Sequence, residues 1–140
     1  MLRNKNSIFF ISASLFTAIA FTQHPDFNKI DSLRKILPTK HGMDRINYLN
    51  AIGIEYWWPS MSRADTITQL ANLAYKESRT IDYIPGEATS IMLLGVAEIF
   101  RLYFNNAENY LRRSLSVFEE LHDDFGEGWC SRCDNLVPTA

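Results

Sequence analysis

Two stretches of this 140-residue chain are versions of one another, set about 40 residues apart, and each reads as a pair of amphipathic helices. Gly53 answers to Gly95, Ile67 to Ala107, Ala71 to Leu111 and Ala74 to Ser114, and the turn Pro85-Gly86-Glu87 has a partial echo in Phe125-Gly126-Glu127. Recurrence of this kind restricts the fold more than any single motif does. One helix pair cannot bury its own apolar face, so stability has to come from stacking neighbours. The expected fold is all-α, an array of stacked antiparallel helix pairs whose open wall suits recognition rather than bond-making.

The helical periods divide the chain further. Phe27, Ile30, Leu33 and Leu37 recur at three- and four-residue steps between Asp26, a plausible N-cap, and Pro38, which predicts a short leading helix. A helix from about Asp44 to Trp58 places Ile46, Leu49, Ile52, Gly53 and Tyr56 on one face and stops at Pro59. Ser62 and Asp65 have capping-box spacing ahead of Ile67, Leu70, Ala71 and Ala74. From about Glu87 to Tyr103 the third helix of the repeats is apolar nearly all round, so it belongs in the middle of the stack. Asn105 is the expected cap of the fourth, and a fifth is expected from about Glu127 to Leu136. The resulting division is a leader over residues 1–20, a leading helix and loop over 21–42, repeats over 43–82 and 83–123, and a partial third repeat or capping helix over 124–140.

The leader is read from Arg3 and Lys5, the apolar run that follows, and the small residues Ala18 and Ala20. That run, from Ser7 to Phe21, is about 15 residues long, short of the roughly 20 needed to span a membrane. It therefore predicts a secretory signal peptide cleaved after Ala20, and an exported, periplasmic or membrane-associated protein on the outer face of the inner membrane. Membrane attachment is expected only if the signal is uncleaved or the chain is a piece of a longer receptor. Losing Arg3 and Lys5 from 14 basic residues leaves 12 against 16 acidic ones, a net charge of about −4. Nucleic acid is not an expected partner, because phosphate binding needs a concentrated basic face, and Arg34-Lys35 and Arg112-Arg113 are isolated pairs.

The small residues Gly53 and Gly95, Tyr56 one turn beyond the first, and Ala107, Leu111 and Ser114 in a second-helix spacing make the pattern resemble the tetratricopeptide repeat (TPR). The segments Asp31 to Leu37, Tyr48-Leu49-Asn50 and Tyr56-Trp57-Trp58 also look like the exported sensory regions of bacterial sensor histidine kinases. Ile67 stands where the family prefers alanine, and Asn135 where a third glycine would sit. The resemblance implies a TPR-like α-solenoid that binds a protein or peptide, as the sensory or scaffolding part of a signalling protein, with no catalytic activity of its own and no cofactor. It also implies that the first helix of each pair lines the ligand groove. That places Asn47, Asn50, Ile54 and Trp57 on one wall and Thr89, Met92, Val96 and Phe100 on the next, although Met92, Val96 and Phe100 read equally well as core.

Trp129-Cys130-Ser131-Arg132-Cys133 contains a C-x-x-C spacing, and Cys130 with Cys133 forms a candidate redox pair. The alternative function is accordingly a periplasmic thiol-disulfide protein, or a truncated fragment of a sensor kinase without activity. A βαβ frame for thioredoxin chemistry is missing from the pattern, and small apolar fillers are the plainer reading. His122, Cys130 and Cys133 lack a fourth ligand with zinc-site spacing, so no metal is expected. Glu119-Glu120 and Asp123-Asp124 have no apolar neighbour to raise a carboxyl pKa, and they read as a solvated rim. Leu136 at the open C-terminal end adds an expectation of self-association.

Overall fold

The computed structural model describes residues 27–57 and 63–139, so the leader, Trp58, Pro59 and Ser62 lie outside the described residues. Every regular element among those described is helical. Helix α1 (Phe27–Ile36) runs into a 3-10 turn (Leu37–Thr39), followed by α2 (Gly42–Glu55), α3 (Ala64–Thr80), α4 (Ile84–Phe100), α5 (Phe104–Leu121) and α6 (Asp124–Asp134). No described helix is long and apolar enough to cross a membrane.

Helices α3 to α6 begin at residues 64, 84, 104 and 124, and the turns between them explain that regularity. Asp82, Leu102 and His122 all take positive φ, between 53° and 63°. In each case the next amide, that of Tyr83, Tyr103 or Asp123, donates to a carbonyl five residues back: Ser78, Glu98 or Phe118, at 2.9–3.0 Å. This is the Schellman arrangement, which satisfies carbonyls that a helix end leaves orphaned. The same residues then open the next helix, because the carbonyls of Tyr83, Tyr103 and Asp123 accept from Glu87, Ala107 and Glu127. Asn105 is therefore inside α5 and not its cap. The N-cap position is Tyr103, which makes no side-chain capping bond, whereas Asp123 caps α6 by accepting from the Gly126 amide at 3.1 Å.

Burial follows the same beat. Ile67, Ala71, Ala74 and Ser78 form the buried face of α3, and Ala107, Leu111, Ser114 and Phe118 form that of α5. Between them, most of the 17 residues of α4 are buried, since α2, α3, α5 and α6 all pack against it. The central, all-round apolar helix expected from the sequence is this one. The first helices of successive pairs, α2, α4 and α6, lie side by side.

Glycine placement corrects one correspondence. A Cβ on Gly53 would stand 2.8 Å from Leu93 Cδ1, on the first helix of the next pair, whereas one on Gly95 would meet Leu111 and Tyr110 on its own partner helix. The two glycines thus serve different interfaces, and their spacing is 42 residues rather than 40. The structural equivalents are Gly86 and Gly126. A Cβ on Gly86 would fall 2.5–2.7 Å from Tyr83, Ile46 and Ser78, and one on Gly126 would fall 2.3 Å from the Phe118 ring.

At its N-terminal end the stack is held by polar and aromatic contacts. Lys29 pairs with Glu55, and the Arg63 guanidinium lies 4.7 Å from the Phe27 ring centre and 5.7 Å from that of Tyr56. Farther along, Arg101 at the end of α4 reaches Asp65 at 2.6 Å and Thr68 at 3.0 Å on α3, so Asp65 makes an interhelix bond. Hydrogen bonding to Asp65 holds the Arg101 pKa above its ordinary value, with a smaller opposing effect from burial.

Two substitutions test this account by thermal unfolding. Gly86→Ala should destabilise the fold by about 1–3 kcal/mol, because the new methyl overpacks three neighbours. Leu102→Gly should stabilise it by about 1 kcal/mol, since Leu102 is exposed and only a side chain with a Cβ is strained in its left-handed conformation.

Candidate functional site

The wall formed by α2, α4 and α6 carries the residues to weigh. Asn47 is exposed, and its Oδ1 accepts from the Tyr83 hydroxyl at 3.1 Å. Ile54 and Trp57 are half-buried against the main core. Thr89 is also half-buried, and its hydroxyl donates to the Pro85 carbonyl within its own helix. These four keep surface that a ligand could touch.

Asn50, Met92, Val96 and Phe100 do not, which corrects half of the expected groove. They are 3%, 2%, 1% and 8% exposed. The three apolar residues belong to the core around α4, because four neighbouring helices leave that helix almost no free face. Asn50 has a structural role. Its Nδ2 donates to the Gly86 carbonyl at 3.1 Å, and Ser90 Oγ lies 2.7 Å from the same carbonyl and 3.1 Å from Asn50 Oδ1. A buried amide satisfied in this way ties α2 to α4 and is costly to disturb.

An aromatic ridge runs across the wall. Trp57, just past the end of α2, meets Trp129 of α6 with ring centres 4.3 Å apart and planes tilted by 51°. Phe125 then stands edge-on to Trp129 at 5.8 Å, and the Arg132 guanidinium lies 5.8 Å from the Trp129 ring centre. Phe125 is 71% exposed, the highest value among the large apolar side chains described. The sequence pattern placed Phe125 in a loop. Its 40-residue counterpart, Pro85 in the first turn of α4, is the signal that assigns Phe125 to the first turn of α6.

Cys130 and Cys133 are unpaired thiols, 1% and 0% exposed. Cys130 Sγ lies 3.6 Å from Ser114 Oγ and Cys133 packs in the main core. Burial pushes both thiols up; the Cys133 pKa rises to about 12, with Cys130 and Asp134 adding to the shift. Thiol-disulfide exchange needs an accessible thiolate, which these surroundings disfavour. His122 sits on an exposed turn, and among the described residues no group of three or more His, Cys, Asp or Glu side chains is placed to hold a metal ion.

No protein-family model matches the chain, and neither a curated protein nor a solved structure matches it.

The thiols give a pH prediction. The folded state holds the Cys133 proton above the ordinary thiol value of 9.0, so its contribution to stability is complete below about pH 9 and is lost as the pH rises towards about 12. Chemical denaturation between pH 8 and 11 should show stability falling less steeply in Cys133→Ala than in the parent chain.

Proposed function

We propose that the chain is a protein- or peptide-binding module of the TPR-like kind, its helix pairs forming a right-handed superhelical array. In this reading it serves as the sensory or scaffolding part of an exported bacterial signalling protein and performs no chemistry itself. One observation carries the proposal: first-of-pair helices α2, α4 and α6 pack side by side, and an aromatic ridge ending in the exposed Phe125 crosses their wall. Rigid aromatic side chains on a preformed helical surface supply contact area at little conformational cost. Asn47 and Thr89 add polar surface elsewhere on α2 and α4.

Among the described residues the wall carries no dense basic face, which favours an apolar or amphipathic segment over an anionic polymer. Burial of both sulfurs weakens the thiol-disulfide alternative.

Panning a random peptide display library against the full chain should select aromatic- or leucine-containing segments. Phe125→Ala, a change at an exposed side chain, should weaken them at least tenfold, in line with the loss of one interface anchor of about 2 kcal/mol. Selected peptides that bind Phe125→Ala and Asn47→Asp variants as tightly as the parent would refute this assignment.

A further inference from the structure

Helix α5 packs along α4 and reaches α3 through Arg113, so it covers the α4 side of the trough between α3 and α4. Its Leu111 and Tyr110 close on Gly95, Ser114 Oγ donates to the Ala88 carbonyl at 2.7 Å, and Arg113 reaches the Tyr75 hydroxyl at 3.2 Å and the Glu87 carboxylate at 3.6 Å. Advancing α3 by one 40-residue period turns Thr68, Ala71 and Tyr75 into Glu108, Leu111 and Leu115 of α5. Advancing α4 likewise turns Ser90, Ile91 and Gly95 into Cys130 and Ser131 of α6 and Asn135 beyond its end. These six residues line an open cleft of about 360 Å³ between α5 and α6. Among the described residues the same trough thus occurs twice, once filled by a helix and once open.

We propose that the open cleft is a docking site for an amphipathic helix of a separate polypeptide, seated as α5 is seated on α3 and α4 and carrying a basic residue where α5 carries Arg113. The filled trough identifies the shape of the occupant, because the two helices beneath it keep their register and their 20-residue spacing in the open one. Charge identifies its chemistry. In the filled trough Glu87 takes both Arg79 and Arg113, and its counterpart Glu127 has no ion-pair partner among the described residues. Glu108 is already engaged by Arg112, while Asp134 adds negative charge to the rim. A cationic helix thus finds a carboxylate waiting at the position that α5 uses to fix its own register. Asn135 in place of Gly95 keeps the incoming helix farther from α6 than α5 lies from α4.

This surface is distinct from the wall of α2, α4 and α6, and the two can be separated by experiment. The probe is a fluorescein-labelled synthetic peptide with the sequence of residues 104–121, titrated with the full chain and followed by fluorescence anisotropy. Saturable binding is expected. Ser131→Arg, at an exposed side chain lining the cleft, should weaken it at least tenfold, and Phe125→Ala should leave it within twofold. Glu127→Arg should also weaken binding, and a peptide with Arg113→Glu should regain at least half of that loss. Failure of the natively folded chain to bind the peptide, or binding indifferent to Ser131→Arg, would overturn the proposal. Dimers in sedimentation velocity that Ser131→Arg dissolves would equally overturn it, because a second copy would then be the occupant.

Discussion

A single backbone bond, made three times, sets the geometry of this protein. When the amides of Tyr83, Tyr103 and Asp123 turn back to carbonyls five residues earlier, each helix ends and the next begins within three residues. That leaves little freedom in how successive helices cross. Asp82 and His122 belong to residue types that tolerate the left-handed conformation, whereas Leu102 adopts it at a cost that the surrounding packing absorbs. Because the turn and its helix together occupy 20 residues, the side chains facing the interior repeat after two such units, and small residues recur where helices approach most closely.

The interior built on that frame is unusually mixed. Beside the aliphatic residues of α4 lie Asn50, Ser78, Ser90 and Ser114, all buried, with Cys130 and Cys133 in the third repeat. Asn50, Ser90 and Ser114 bond backbone carbonyls, and the Cys130 thiol approaches Ser114. Short polar side chains suit such positions because they take little more room than alanine and can satisfy themselves on a helix backbone. Cys130 occupies in α6 the place that Ser90 holds in α4, so the C-x-x-C spacing arises from two inward positions on one helical face, at i and i+3.

Much of the helical organisation was legible in the chain because it rests on periodicity. Ile67, Ala71, Ala74 and their partners Ala107, Leu111 and Ser114 fall on the buried faces that their spacing indicated. The turns were less legible, since their determinant is a backbone conformation that Leu102 does not advertise. Pairing Gly53 with Gly95 failed for a related reason: a glycine marks a close approach without saying from which side it comes. At the candidate site, Met92, Val96 and Phe100 read equally well as groove or core, and the four-sided covering of α4 makes them core, whereas Asn50 was assigned to the groove by analogy and is turned inward by its bonds to Gly86 and Ser90. Phe125 was not singled out because the helix starts three residues earlier than expected, at Asp124, which moves Phe125 from the preceding loop into the first turn of the helix.

The contact between Trp57 and Trp129 joins the first and third helices of the wall across the one between them. Two indoles this close couple their electronic transitions, so their circular dichroism in the near ultraviolet depends on the angle between them. Any change in bend along the stack has to alter that angle. The protein therefore carries an intrinsic optical goniometer, built from its own side chains, that would report flexing without an added label.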